Sequence, residues 1–272
     1  MASSSTTPGL NPCPFVNCVT ADNPSPMTLS GTNTYLIGAP GSDSCVVVDP
    51  GPAEGARAHL DAVLEASEGR TISLILLTHW HEDHTGALDL FHEATGADAR
   101  AGREKFCRGA GTVLEDGERI VAGDTVIHAL HTPGHTSDSF CFSVPSAGTD
   151  GAVLTGDTIL GQGTTMLDHP DGTLEDYLAS LSLLQDEGPA RVLPAHGPSL
   201  PSLEEVAGQY LTHRRQRIQQ VKDQLATLPE GAVHSINPRD LAALVYPEAE
   251  GKVLEVAAQT MAAHLRYLQD RA

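Results

Sequence analysis

The chain has 272 residues, enough for one large domain or a domain with a small appendage, and its 40% hydrophobic content supports a packed core. Sixteen Lys and Arg against thirty-five Asp and Glu leave a formal net charge of −19. Such a surface repels polyanions, so nucleic acid is a disfavoured partner. The longest apolar runs, SLILL and CVVV, are far short of the roughly 20 residues a membrane helix needs, so no membrane association is expected. Residues 1–12, MASSSTTPGLNP, lack an apolar signal segment and read as a disordered lead-in. Cys13, Cys18, Cys45, Cys107 and Cys141 are odd in number and scattered, which fits thiols in a reducing compartment and predicts a cytoplasmic location.

In chain order the pattern predicts strands at 34–37 and 45–48, a helix over 54–66, a strand at 72–77 and a helix over 87–94. A turn-rich middle follows. Strands at 125–130, 140–144 and 152–155 come next, then a helix over 174–184 and a strand at 191–194. Strands alternating with helices predict an α/β fold. From about residue 203 the pattern is helical. Val206, Tyr210, Ile218, Val221, Leu225 and Leu228 share one face, and Pro229-Glu230-Gly231 ends the run. Asn237-Pro238 reads as a cap opening a second helix. Leu254, Ala258, Met261, Leu265 and Leu268 mark a last one. The expected division is residues 1–202 for a catalytic domain and 203–272 for a small helical domain.

The chemistry lies in LTHWHEDHTG, residues 77–86, directly after the apolar run ISLILL. His79, His81, Asp83 and His84 form H-x-H-x-D-H, four good metal ligands at the end of a buried strand. Imidazole and carboxylate at this density suit Zn²⁺, with Mn²⁺ or Fe²⁺ as alternatives. Three later segments each place one more ligand type after a predicted strand: His135 in HTPGHT, Asp157 in VLTGD and His196 in VLPAHG. Any one alone reads as a turn residue; together they read as a site for two Zn²⁺. His79, His81 and His135 would hold the first metal and Asp83, His84 and His196 the second, with Asp157 bridging. A hydroxide shared by two metals is a strong nucleophile at neutral pH, and Asp83 is placed to orient it and handle its proton. Asp49, ending CVVVDPG, is expected to steady the metal loop rather than to ligate.

The order HxHxDH, H, D, H resembles the metallo-β-lactamase-fold superfamily. The resemblance implies an αββα sandwich with the site at one edge of its sheets, and it carries over all seven ligands. A bridging Asp157 resembles the hydrolase branches more than the true β-lactamases. NPSPMTLSGTNTYLIG, GDTILGQGTT, LPAHGP and YLTHRRQR resemble the lactamase-β-2-like hydrolase subfamily, and MAAHLRYL resembles its small winged-helix-like C-terminal domain. Little sequence follows the last helix, so no nucleic-acid-reading wing is expected. That family includes an endoribonuclease and thioesterases of carrier-bound polyketides.

His213, Arg214, Arg215 and Arg217 form the one dense basic cluster and read either as an anion clamp or as a solvated face. His213, Asn33, Thr164 and Thr165 are candidate substrate contacts, the latter three against a reading as turn and strand-end residues. The expected activity is a dinuclear zinc-dependent hydrolase of an ester, thioester or lactone, on a small-molecule or carrier-bound substrate. The alternative is a metal-dependent endoribonuclease on single-stranded RNA. Iron-dependent redox chemistry and β-lactam hydrolysis rank lower.

Overall fold

The computed structural model describes residues 13–271, and the disorder expected for residues 1–12 lies outside them. The chain divides into two compact units. One holds the described residues up to His131 with Asp138–Gly163 and Pro189–Ser202; the other holds Thr132–Ser137, Thr164–Gly188 and the residues from Leu203 on.

The first unit carries both sheets. One has β1 (Val16–Thr20), β2 (Asn33–Ile37), β3 (Ser44–Val48), β4 (Thr71–Leu76) and β5 (Asp98–Arg100) side by side in that order. Its β1–β2 and β2–β3 pairs are antiparallel and its β3–β4 and β4–β5 pairs parallel. The other runs β10 (Arg191–Pro194), β9 (Ala152–Gly156), β8 (Phe140–Val144), β7 (Thr125–His131), β6 (Arg119–Ala122), with only β9–β10 parallel. Helices α1 (Ala56–Ala66), α2 (Glu82–Thr85) and α3 (Leu88–Thr95) complete the unit. The α/β class is as the sequence predicts.

The pleat of β3 explains the layering. Successive side chains point to opposite faces. Val46 and Val48 join Ile37, Leu76, Ile127, Phe142 and Leu154 in the core between the sheets. Cys45 and Val47 face the other way, into a core with Leu60 and Val63 of α1 and Phe91 of α3. A strand covered on both faces reads as an unbroken apolar run, which is why CVVV and ISLILL announce β3 and β4. Strands β1, β5 and β6 go unpredicted. All three are sheet edges, and edge strands are short and half-exposed, so they lack such runs. The expected metal loop contains the single turn α2.

In the second unit, α4 (Leu174–Asp186), α5 (Leu203–Ala226), α6 (Pro238–Val245) and α7 (Gly251–Gln269) match the predicted helices closely. Val221, Leu241, Ala242, Met261, Leu265 and Leu268 bury together, the last three at i, i+4, i+7 spacing. Asn237 caps α6 by accepting from the Arg239 amide at 2.8 Å, with Pro238 at the first helical position. Among the described residues no strand follows β10, so the C-terminal segment is helical and shows no wing. No helix is long and apolar enough to cross a membrane.

Two histidines are buried as neutral rings. The Thr34 hydroxyl donates to the Asp49 carbonyl at 2.6 Å, so the His59 Nε2–H donates to that hydroxyl oxygen at 2.7 Å. In the second unit, His264 Nδ1–H donates to the Thr260 carbonyl at 2.8 Å. Burial pushes each pKa from 6.5 down to about 4. Below pH 6.5 the unfolded chain takes up protons that the folded chain refuses, so their contribution to stability falls until about pH 4. The His264→Leu variant should lose stability less steeply over that window, by up to about 1.4 kcal/mol per pH unit. Urea unfolding at pH 7, 6 and 5 measures it; equal slopes would show that folded His264 accepts a proton.

Candidate metal centre

Four strands of the first unit end in ligand-type or supporting residues: Asp49 after β3, Thr78 and His79 after β4, Asp157 after β9 and His196 after β10. Open α/β sheets gather ligands at the carboxyl ends of their strands. The turn carrying Asp157 comes so near β4 that a Cβ on Gly156 (φ +50°) would lie 2.7 Å from the Thr78 Cβ. Only glycine serves there.

Asp49 organises the motif. Its Oδ1 accepts from the Thr78 amide at 2.8 Å; its Oδ2 accepts from the Thr78 hydroxyl at 2.7 Å and from His84 Nδ1–H at 2.9 Å. A carboxylate only accepts, so His84 carries a proton on Nδ1 and turns Nε2 outward. That Nε2 is buried with no hydrogen-bond partner. The Thr78 hydroxyl has given its proton to Asp49, so it accepts from His79 Nδ1–H at 3.1 Å. His79 Nε2 then stands 3.0 Å from His81 Nδ1. Asp49 thus steadies the loop, as expected.

His196 is set by the segment 31–35. Its Nδ1–H donates to the Gly31 carbonyl at 3.2 Å, which turns Nε2 the other way. The Asn33 side-chain amide donates to the carbonyls of Pro194 and Gly197, both at 3.0 Å, and Tyr35 donates to Pro194 at 2.8 Å. The Asn33 carbonyl oxygen accepts from Thr20 at 2.8 Å. Asn33, expected as a substrate contact, is buried and committed to holding the His196 loop.

Two carboxylates face these imidazoles. Asp83 Oδ2 and Asp157 Oδ1 each lie 3.3 Å from His196 Nε2 and 3.6 Å from His84 Nε2. Burial alone would raise the Asp83 carboxyl, but His84 and His196 hold it well below the usual carboxylate range. Burial disfavours charge on His84 too, yet Asp83, Asp49 and Asp157 push it up to about 10. Burial likewise opposes charge on His196, and Asp157 and Asp83 overcome it. The cluster calls for positive charge. His79, His84 and Asp157, and also Asp83, His84 and His196, bring ligand atoms within 4.8 Å of one another, which suits a divalent cation. The orphaned His84 Nε2 fits such an ion.

His135 is buried in the second unit, on the Thr132–Ser137 segment. Its Nδ1–H donates to the Met166 carbonyl at 2.8 Å, the same device that turns Nε2 away in His84 and His196. Thr164 is exposed and Thr165 buried. The basic cluster of α5 does not converge: Arg214 is buried over the Tyr177 ring, Arg215 is exposed, and Arg217 lies over Tyr246 at 4.4 Å. His213 is half-buried, and burial with Arg214 and Arg217 nearby lowers its pKa. Sequence reasoning misses a support beside the motif. Arg103 sits 5.4 Å above the Trp80 ring and pairs with buried Asp138 at 3.3 Å. Nothing in the sequence singles out Arg103; Asp138 stands three residues after His135.

Residues 27–196 match the family model of the metallo-β-lactamase superfamily. The chain belongs to that superfamily. It is 33% identical over 268 residues to the β-lactamase-like protein 2 homolog of Drosophila melanogaster, covering 91% of this chain and 85% of that one. It is also 33% identical to the atrochrysone carboxyl ACP thioesterase of Passalora fulva, covering 87% and 69%. A β-lactamase domain protein from Burkholderia ambifaria shares the fold at a TM-score of 0.81 with 19% identity, covering 99% of this chain and 90% of that one. Membership of the superfamily, and of its lactamase-β-2-like branch, makes the chain a metal-dependent hydrolase.

Asp49→Asn would set an amide N–H₂ against the donors of Thr78 or His84. It should weaken metal retention about 10–100-fold and cost the metal-free protein about 1–3 kcal/mol. Chelator competition and urea unfolding measure the two effects; unchanged retention would show that Asp49 does not orient His84.

Proposed function

We propose that the chain is a dinuclear zinc hydrolase of an ester, thioester or lactone, with residues 1–202 as catalytic domain and 203–272 as helical domain. The reading gives one zinc to His79, His81 and His135 and the other to Asp83, His84 and His196, with Asp157 between them. What carries it is the shared geometry of His84, His135 and His196: each ties Nδ1–H to an oxygen acceptor on the protein and so turns Nε2 away from that acceptor. Zinc held by these residues would supply a water of lowered pKa and a Lewis acid toward the scissile carbonyl. The protein's own groups do the rest. Asp83, the more exposed of the two facing carboxylates, stays ionised beside His84 and His196; it would orient the attacking water by accepting its hydrogen bond and relay its proton without retaining it. Asp49 and Thr78 keep the motif from moving as charge develops.

Carrier-bound thioester is the favoured substrate class, since a relative covered over most of its length is named as an ACP thioesterase. Exposed Thr164 with neighbouring Thr165, and His213, whose lowered pKa keeps it a neutral donor or acceptor at pH 7, are the proposed substrate contacts. The −19 charge speaks against RNA as substrate. Among the described residues no disulfide joins the five cysteines, in keeping with a cytoplasmic protein.

Elemental analysis paired with thioester, lactone and RNA hydrolysis tests this. About two zinc per chain are expected. Thioester or lactone turnover should fall about 10²-fold in Asp157→Asn. RNA cleavage alone, or iron in place of zinc, would refute the reading.

A further inference from the structure

Arg214 poses a question that the proposed mechanism leaves open. It is 3% exposed, and among the described residues no carboxylate pairs with it. Its Nε is buried without a hydrogen-bond partner. A buried cation so weakly compensated is costly, and a methionine of similar length would avoid that cost. Two contacts account for the arginine. Its Nη2 donates to the Thr165 carbonyl, and its guanidinium plane lies 4.9 Å from the centre of the Tyr177 ring. A planar fork that also stacks is what arginine offers over lysine.

Both contacts lead to His135 within the same unit. The residue after Thr165 is Met166, whose carbonyl accepts from His135 Nδ1–H at 2.8 Å and so fixes the ring and its tautomer. Two consecutive peptide carbonyls therefore join the Arg214 guanidinium to the His135 imidazole. The backbone of Tyr177 is the surface against which Gly134, next to His135, is laid. Gly134, at φ +138°, comes so close to it that a Cβ there would lie 2.4 Å from the Tyr177 Cα. Ser180, one turn further along α4, donates to the Pro133 carbonyl at 2.7 Å. The 165–168 loop thus holds the His135 ring through Met166 and the His135 carbonyl through the Asp168 amide at 3.0 Å, while α4 holds the preceding Pro133–Gly134 backbone, and Arg214 touches both supports.

We propose that Arg214 is a positioning residue for His135: from α5 it locks the Thr165–Met166 peptides and the Tyr177 face, and so aims His135 Nε2. The proposal rests on His135 being a metal ligand, as read above. It assigns the first arginine of the basic cluster to the metal site's support instead of an anion clamp. The anion reading is weaker because the Arg214 donor and stacking face are already committed to Thr165 and Tyr177.

Zinc affinities at the two positions, from chelator competition followed by elemental analysis, test it in His135→Ala, Arg214→Met and Arg214→Lys. Near-UV circular dichroism checks each fold. His135→Ala should keep about one zinc of two. Arg214→Met should weaken one zinc about tenfold and leave the other as in the parent. Arg214→Lys, which can still donate to Thr165 but stacks poorly, should fall between, at about threefold. If Arg214→Met does not fold, the lysine variant decides alone, and parental affinity at both positions overturns the proposal. Equal weakening at both positions also overturns it, since that is the mark of a general structural role. Parental zinc binding in His135→Ala would instead sink the ligand reading beneath it.

Discussion

Much of the first unit's metal cluster hangs on one buried carboxylate. Asp49 receives three hydrogen bonds, two from Thr78 and one from His84. A buried anion without donors would be costly; here each donor is a group whose direction matters. The bonds to Thr78 fix where β4 ends and, through the hydroxyl, which nitrogen of His79 is protonated. The bond to His84 turns that ring outward. Asp49 itself holds φ +56°, a conformation aspartate tolerates better than most residues. The constraint therefore runs from a strand end, through a carboxylate, to two imidazoles.

The same logic recurs with different acceptors. His196 uses the Gly31 carbonyl and His135 the Met166 carbonyl. Each ring has one acceptor on the protein side, so Nδ1 is the nitrogen that faces the protein and Nε2 the one turned away. The residues supplying these acceptors come from β-strand ends, turns and loops far apart in sequence, which ties the chemistry to the sheets.

That distribution explains what the sequence discloses. H-x-H-x-D-H is local, and β3 and β4 are buried on both faces, so motif and strands are visible as contiguous text. The C-terminal helices are visible because Met261, Leu265 and Leu268 recur at helical spacing and Asn237-Pro238 marks a start. The edge strands β1, β5 and β6 satisfy half their backbone groups elsewhere and need no apolar run. Asn33 looks like a polar donor beside a cleft; its amide is instead committed to carbonyls more than 160 residues away. The pairing of Arg103 with Asp138, and the grip of Arg214 on Thr165, likewise join side chains to distant partners. No local spacing encodes such pairs.

The span of these bonds also governs when the site can come into being. His196 finds its acceptor 165 residues earlier in the chain, and Asp49 meets His84 across 35. During synthesis, H-x-H-x-D-H emerges with Asp49 and Asp83 but long before Asp157 and β10, so the growing chain displays these imidazoles without the later half of the cluster. Contacts of high sequence separation close late in folding. A metal that favours the completed site over the open chain then binds the finished product and draws the equilibrium toward it. If His196 ligates as proposed, its long reach would make metal capture a test of completeness: a chain truncated before β10 would keep Gly31 and Asn33, which aim the ring, but not His196 itself.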